Sequence, residues 1–233
     1  VDVFGLDAIR FYLSSIMPET SDSNWVWKDF QQTVNSELNG NLGNFVHRTL
    51  TFYQNKLDGK FETNPTFDHI HILSEPSIDP DEKLEVGIER PSDIKIAIQD
   101  AFDNISRHLN AAQFLAAQNE LMKLGNVANK YFNDREPWKL LKEDRAECET
   151  VIYTCIQLVN ALRILIAPFL PDASDRLSEI LSLEKLNSNP DAKVGEDSFK
   201  FVELSTLNFQ LSTNLKPLFT KIEDEQIEEF NKE

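Results

Sequence analysis

The sequence predicts an all-α fold, and three features favour that class. Only seven of the 233 residues are glycine, while the strong helix formers Leu, Glu, Lys, Gln and Ala are frequent. Apolar residues at 41% and charged residues at 27% are ordinary for a globular protein. The stretch 25–59 keeps one helical period throughout. A chain of this length forms one large helical domain or a domain with an appendage.

The longest predicted helix runs from about Trp27 to Leu57 and is closed by Asp58-Gly59. Apolar side chains recur every three or four residues in it and define a buried stripe: Trp27, Phe30, Val34, Leu38, Leu42, Phe45, Thr49 and Phe52. Hydrogen-bonding side chains line a second face: Glu37, Asn41, Asn44, Arg48 and Asn55. That face is either a recognition surface or an ordinary solvated face. Gly40 and Gly43 favour close approach by a neighbouring chain or a slight bend.

The rest of the chain is also mostly helical in pattern. A strand-like entry over 1–4 precedes a helix that ends before Pro18. Residues 23–24 are placed to cap the long helix, and Asn110 to cap a later one. A possible strand covers 199–202. Further helices are predicted over 92–109, 111–132, 138–144, 146–170 and 173–183.

Features that often signal chemistry are weak in this sequence. Cys148 and Cys155 lie seven residues apart on one predicted helical face, which favours reduced, buried thiols over a disulfide. The alternating His69 and His71 lack a third metal ligand, so we predict no metal site. The sequence has no glycine-rich phosphate loop, dinucleotide fingerprint or recognisable nucleophile setting. We therefore predict a binding module without catalytic residues or a cofactor of its own.

The net charge of −16 argues against a generic nucleic-acid binder, because phosphate contacts use mostly Lys and Arg. The acidity is uneven, however, and concentrates in 62–93 and after Ile222. Residues 39–60 carry three cations against one anion, and residues 121–145 carry six against four. These two segments are thus locally basic within an acidic chain.

Targeting and membrane signals are weak as well. No apolar run approaches the roughly 18 residues that a bilayer-crossing helix needs, so we expect no membrane segment. The opening residues lack the charged-then-apolar organisation of a secretory signal. The chain opens on Val1 rather than Met, and we expect it to be a piece of a longer protein.

Four stretches resemble a known family in the same order along the chain. They are DAIRFYLSSIMPETSDSNWVWKDF (7–30), NSELNGNLGNFVHRTLTF (35–52), GNVANKYFNDREPWKLLK (125–142) and PLFTKIEDEQI (217–227). The first resembles the segment after the KMSKS loop of methionyl-tRNA synthetases, which are class I aminoacyl-tRNA synthetases. The second is similar to the first helix of that family's anticodon-binding bundle. The third and fourth resemble its Asn-Arg-Tyr-Phe…Pro-Trp and Leu-Phe-x-x-Ile-Glu elements.

The resemblance implies the class I anticodon-binding helical bundle, separated from its catalytic half. The KMSKS loop, the H-I-G-H signature and the zinc-knuckle cysteines are absent, so the fragment should not activate methionine by itself. ATP and, less firmly, zinc are implied for the full-length enzyme. The implied partners are methionine tRNA and the enzyme's own catalytic domain in the cytoplasm, with no membrane and no DNA. The implied domains are a connector over 1–24, the bundle over 25–183, and a C-terminal extension over 184–233 that packs back and ends in an acidic tail.

The family's anticodon-binding residues carry over to three positions. Asn44 and Arg48 occupy the matching Asn-x-x-x-Arg positions, and Trp138 occupies the matching Trp after Pro137. The resemblance implies a site for the CAU anticodon, in which an unpaired base stacks on Trp138. The amide of Asn44 and the guanidinium of Arg48 would satisfy cytosine acceptors. Glu37, Asn41 and Asn55 would lie on the solvated face of the helix and take no part in binding.

Each assignment has an alternative. Trp138 could be a buried core indole, Arg48 could pair with Glu37 or another acid, and Asn44 could simply face water. The bundle could belong to another class I synthetase, of the cysteine or leucine type. A helical protein–protein interaction module, docking through 62–93 or the acidic tail, is the alternative from a different class.

Overall fold

A computed structural model describes residues 3–18, 22–65, 91–186 and 216–230. Every regular element within these residues is helical, which confirms the predicted all-α class. The elements in chain order are α1 (Leu6–Ser15), α2 (Trp27–Thr33), a π-helix (Val34–Gly43), α3 (Asn44–Lys56), α4 (Pro91–Asn110), α5 (Phe114–Arg135), α6 (Pro137–Glu143), α7 (Arg145–Leu165), α8 (Pro171–Ile180) and α9 (Asp224–Phe230).

The predicted helix from Trp27 to Leu57 is continuous but not uniform. The π-helix separates α2 from α3, and its backbone N–H groups bond five residues back, as Asn44 does to the Asn39 carbonyl. The apolar stripe faces the core as predicted. Its buried members are Phe30, Val34, Leu38, Leu42, Phe45 and Thr49, and its partly buried members are Trp27 and Phe52.

The spacing of that stripe accounts for the π-helix. Phe30, Val34, Leu38 and Leu42 are each four residues apart. In an α-helix such a spacing drifts around the axis by about 40° per repeat, because 3.6 residues complete a turn. Wider π turns keep all four side chains directed into the core. The prediction of one uniform α-helix is therefore wrong here, since a repeat of four is longer than the α period.

The π-helix and α3 run beside α5 in the same direction. Gly125 on α5 permits a close approach, because a Cβ there would collide with the Asn41 side chain and lie 2.9 Å from Leu42 Cδ2. Three side-chain hydrogen bonds along this seam join residues that are all 85 positions apart: Asn41 with Asn126, Asn44 with Asn129, and Arg48 with Asn133.

Helix α7 is the central helix, and its residues 151–165 are all buried. By length and composition alone it could cross a membrane, which the sequence did not lead us to expect. Its almost complete burial against α3, α4, α5, α6 and α8 is instead typical of a core helix. Cys148 and Cys155 are buried and unbridged in it, which confirms the prediction of free thiols.

The strand-like entry predicted over 1–4 is wrong for its described residues. Val3 and Phe4 lie in a turn that leads into α1. The Phe4 ring packs edge-on against Phe30, with ring centroids 5.3 Å apart. Aromatic packing, rather than pairing with a second strand, therefore holds this entry. The possible strand at 199–202 lies outside the described residues.

Two predicted helix caps are also wrong. Helix α2 starts after Val26 rather than after residues 23–24, and the Tyr12 hydroxyl donates to the Val26 carbonyl at 3.2 Å. Helix α5 starts after Gln113, because α4 continues through Asn110. Neither start has a side-chain cap, and the contact between Tyr12 and Val26 fixes the first of them.

A buried carboxylate ties the loop after α3 to α7. Glu149 is fully buried and accepts hydrogen bonds from the backbone N–H of Glu62 at 3.0 Å and of Thr63 at 2.7 Å. The Thr63 hydroxyl donates to the same carboxylate at 2.6 Å, and Arg145 Nε donates at 3.0 Å. Residues 66–90, with His69 and His71 and most of the 62–93 insertion, lie outside the described part of the chain.

The segment 216–230 packs back onto the N-terminal half. The Phe230 and Trp27 rings lie 5.2 Å apart. A Cβ at Gly43 would lie 3.2 Å from the Phe219 ring, so a predicted close approach at a glycine occurs here. The buried side chains of this segment are Leu218, Phe219, Ile222 and Ile227. The division into 1–24, 25–183 and 184–233 stays a prediction.

Candidate nucleic-acid interface

Asn44 lies exposed in the first turn of α3, with one amide hydrogen engaged. Its Nδ2 donates to Asn129 Oδ1 at 3.2 Å. The orientation of Asn129 is fixed in turn, because its own Nδ2 donates to Asn41 and to the Gly125 carbonyl. Within the described residues no hydrogen bond uses Asn44 Oδ1. Asn44 therefore keeps an acceptor and one donor for a ligand.

Arg48 lies one turn further along α3 and rests on an aromatic ring. The carbon at the centre of its guanidinium is 4.5 Å from the centroid of Phe132. Its Nη2 donates to Asn133 Oδ1 at 2.8 Å. None of the carboxylates placed by the structure, Glu37 included, lies within ion-pair distance of it. The alternative in which Arg48 is neutralised by an acid therefore fails for the described residues.

Trp138 lies in the first turn of α6, directly after Pro137 at its N-terminus. The side chain is 41% exposed, so it is not a core indole. Its ring centroid lies 6.2 Å from that of Phe132, at an angle of 40°. Glu136, with a positive φ of 44°, makes the sharp turn that brings α6 back across the end of α5.

Phe132 is thus the centre of the arrangement. It contacts the Arg48 guanidinium and the Trp138 indole at once, although these residues come from α3 and α6. The structure brings Arg48 and Trp138 to one place, with Asn44 a helical turn away. The result is an exposed aromatic ring beside an unneutralised planar cation and an amide.

The assignment of Asn41 to the solvated face is wrong. Asn41 is only 8% exposed, and its Nδ2 donates to the Met122 carbonyl at 3.1 Å and to Asn126 Oδ1 at 3.0 Å. Helix α5 covers this part of the polar line, which residue spacing alone cannot show. Asn55 is exposed and Glu37 half-buried.

Sequence reasoning missed the supporting residues on α5. The only available signal was the spacing of three asparagines in the Asn-rich stretch before Pro137, which places them on one helical face. The missed residues are Asn126, Asn129, Phe132 and Asn133.

The two locally basic segments meet where α3 runs beside α5, and several of their cations are paired with acids. Ion pairs join Lys123 to Glu120, Lys130 to Asp134, Arg135 to Glu147 and Lys139 to Glu136. Arg48 differs from these cations because its partners are neutral. At the site itself, Arg48 is thus a cation whose charge remains available to RNA.

The buried thiols have no nucleophilic character. Burial raises the pKa of Cys148 to about 11. Burial also raises the pKa of Cys155 far above its ordinary value. Both remain protonated at neutral pH, and only thiolates are good nucleophiles.

Residues 87–233 match the model of the anticodon-binding domain of methionyl-tRNA ligase. The chain belongs to this family. Residues 1–50 match a second model, that of class I (M) tRNA synthetases. Asn44 and Arg48 fall in the second match and Trp138 in the first, so the site draws on both regions.

Similar curated proteins are methionine–tRNA ligases. That of Pyrococcus horikoshii is 36% identical over 227 residues, which cover 97% of this chain and 27% of the relative. That of Methanobrevibacter smithii is 32% identical, with 97% of this chain and 30% of the relative covered. The chain thus spans less than a third of these relatives. The family match favours the methionine type over the cysteine or leucine type.

Solved structures with a similar fold include methionyl-tRNA synthetase of Mycobacterium tuberculosis. Its free form has a TM-score of 0.71 at 20% identity, covering 95% of this chain and 40% of that one. A form bound by methionyl-adenylate has a TM-score of 0.70 at 21% identity, covering 94% and 38%. At this identity the likeness shows the fold alone, a helical bundle.

Proposed function

We propose that this chain binds the CAU anticodon of methionine tRNA while a catalytic domain of the same enzyme joins methionine to the tRNA. The observation that carries the proposal is the exposed Trp138 beside Phe132 and Arg48, with Asn44 one turn away. Family membership supports it independently.

The chemistry of the site suits an unpaired anticodon base. A splayed base stacks on the Trp138 indole, which contributes about 1–3 kcal/mol whichever base it is. Discrimination then comes from polar groups at the base edge. Arg48 offers only donors and therefore prefers a base with exposed acceptors, such as the O2 and N3 of cytosine. Asn44 adds an acceptor and a donor.

Amino-acid activation would take place in a catalytic part of the full-length enzyme that lies outside this domain. The M. tuberculosis enzyme binds methionyl-adenylate, which suggests ATP as co-substrate of the full-length protein, with a zinc ion as a weaker expectation. We assign the enzyme to the cytoplasm, with tRNA and its own catalytic domain as partners.

Substitution of Trp138 by Ala in the full-length enzyme tests the proposal. Loss of the stacking surface should lower tRNA charging by about 5- to 150-fold, the equivalent of 1–3 kcal/mol. Methionine activation, measured by ATP–pyrophosphate exchange, should stay at the parent rate. Ile96→Ala is the matched control, because Ile96 is an exposed apolar residue on α4 outside the site.

Charging by the Trp138→Ala enzyme at the parent rate would show that the site is not the anticodon contact. Exchange of the first anticodon base in a hairpin-binding assay then tests the specificity. A hairpin with CAU should bind this chain more tightly than one with GAU or UAU. Equal binding of all three would contradict the assignment to Asn44 and Arg48.

A further inference from the structure

The rotational phase of α3 depends on the π-helix before it. Each i→i+5 turn holds roughly one residue more than the 3.6 of an α turn. If Val34–Gly43 relaxed to an α-helix, α3 would turn about its axis relative to α2. Asn44 and Arg48 would then no longer face Asn129 and Phe132.

A second stripe with a four-residue spacing faces the C-terminal segment, which we define as residues 217–224. Its side chains approach that segment along its length, and Gly43 leaves room for Phe219. An α-helix would carry this stripe away from the segment by about 40° per repeat. The stripe consists of Gln31, Asn35, Asn39 and Gly43.

Asn35 makes a reciprocal pair with the C-terminal backbone. Its Nδ2 donates to the Ile222 carbonyl at 2.8 Å, and its Oδ1 accepts from the Ile222 N–H at 2.9 Å. Asn35 therefore binds this segment as a neighbouring strand would. Gln31 Nε2 adds a bond to the same carbonyl at 3.2 Å and one to Asp224 Oδ1 at 2.8 Å.

Asn39 connects this pairing to the binding residues. Its Nδ2 donates to the Thr220 carbonyl at 3.3 Å. Its backbone carbonyl accepts the N–H of Asn44 through the last i→i+5 turn. A fixed C-terminal segment therefore holds the π geometry up to the first residue of the proposed site.

The C-terminal segment is itself held from its other side. Arg176 on α8 donates to the Leu218 carbonyl at 2.7 Å and to the Pro217 carbonyl at 2.8 Å. Leu218, Phe219 and Ile222 are buried. The segment is thus anchored to α8 as well as to the π-helix, and it can oppose relaxation of the wide turns.

We propose that Asn35 is a positioning residue that, through its pairing with the C-terminal segment, keeps the π-helix in the phase that holds Asn44 against Asn129 and Arg48 against Phe132. This inference rests on the proposed function for its consequence in RNA binding. Its structural half concerns only the rotation of α3 and is independent of RNA.

Asn35→Ala tests the proposal, with Ser36→Ala as matched control. Ser36 is the next residue of the same π-helix, but its side chain is exposed and, within the described residues, bonds only to the Gln32 carbonyl one turn earlier. NMR shifts of the Arg48 side-chain protons report the phase, because the Phe132 ring lies 4.5 Å away and displaces them upfield. Asn35→Ala should remove most of that displacement, and Ser36→Ala should leave it.

Binding of a CAU hairpin gives the functional measurement. Asn35→Ala should weaken binding by about tenfold and reduce the preference over a GAU hairpin, while Ser36→Ala does neither. Asn39→Ala and Gln31→Ala are milder variants and should shift both measurements the same way. If the melting temperature of Asn35→Ala shows that this variant is unfolded, the two milder variants test the positioning role instead.

Unchanged Arg48 shifts in folded Asn35→Ala and Asn39→Ala would overturn the inference, whatever the RNA result. If Asn35→Ala loses the upfield displacement of the Arg48 protons but binds the CAU hairpin as tightly as the parent chain, the inferred consequence for RNA binding is overturned. A parent chain with no preference for the CAU hairpin would refute the proposed function, and the Arg48 shifts would still decide the positioning role of Asn35.

Discussion

The positive charge of Arg48 is in contact with neutral groups. Its guanidinium lies over Phe132 and donates to the Asn133 amide, and none of the described carboxylates neutralises it. A cation–π contact contributes about 0.5–1 kcal/mol at an exposed site and about 2 kcal/mol when it is desolvated. The contact orients the planar cation while leaving its charge available to an RNA ligand.

Asn41 and Asn44 show how neighbouring members of one polar line take different roles. Asn41 is buried against α5 and donates hydrogen bonds to the Met122 carbonyl and to Asn126 Oδ1, whereas Asn44 is exposed. Asn41 supports the site only indirectly, because Asn129 bridges the two residues. The burial of one residue is thus what orients the other.

Glu149 is a buried carboxylate whose pKa reports on the fold. Burial by itself would raise that pKa, but hydrogen bonds from Thr63, Glu62 and Arg145 outweigh burial and hold the pKa below its ordinary value of 4.5. The ionised form is therefore the one that stabilises the folded chain. Its contribution is fully present above pH 4.5 and is lost as the pH falls below it.

Glu149→Gln should lower the free energy of unfolding by about 2–4 kcal/mol at pH 7. The reason is that the neutral amide has one acceptor oxygen and no negative charge, whereas the carboxylate accepts these hydrogen bonds with two charged oxygens. Urea denaturation at pH 7 and at pH 4 measures it, and the difference from the parent should narrow at the lower pH. Glu143→Gln, exposed on α6, should change little at either pH. An equal difference at both values would contradict the pKa argument.

At the scale of elements, the interface between the π-helix and α5 sets the geometry of the site. The constant 85-residue offset of the three side-chain bonds requires that the two helices run parallel and close. Gly125 provides the close approach, because its missing side chain leaves room for Asn41 and Leu42. A wider separation would move Phe132 away from Arg48.

Gly125→Ala should destabilise the chain by about 1–3 kcal/mol, as overpacking does, despite the better helix propensity of Ala. Thermal or urea unfolding measures the change. Gly40→Ala is the control, because its Cβ would meet only the Asn35 carbonyl oxygen at 3.3 Å, and we expect a change within about 1 kcal/mol. Equal effects of the two substitutions would show that helix separation is not tightly set at Gly125.

At the scale of the whole molecule, the charge distribution limits how the chain can bind RNA. The net charge is −16, and most cations near the site are paired with acids. Only a few phosphates can therefore be neutralised on binding. Salt also screens the general repulsion between an acidic chain and RNA. Both effects make binding weakly dependent on salt.

The dependence of log affinity for the CAU hairpin on log salt concentration should have a slope no steeper than about −2, equivalent to three phosphates or fewer at about −0.7 each. Trp138→Ala should weaken binding without changing the slope, because the indole carries no charge. Hairpin titrations at several salt concentrations measure both quantities. A slope near −5 would mean that a broad phosphate-binding surface exists elsewhere on the chain.

The sequence by itself determined the helical class and the core stripe of the long helix, because both depend on composition and local periodicity. Its resemblance to the methionyl-tRNA synthetase family supplied Asn44, Arg48 and Trp138 as candidate residues. Only the tertiary structure decided that α5 buries Asn41 and that Phe132 joins Arg48 to Trp138. Each of these depends on which distant element covers a given helical face, and residue spacing along one helix does not contain that information.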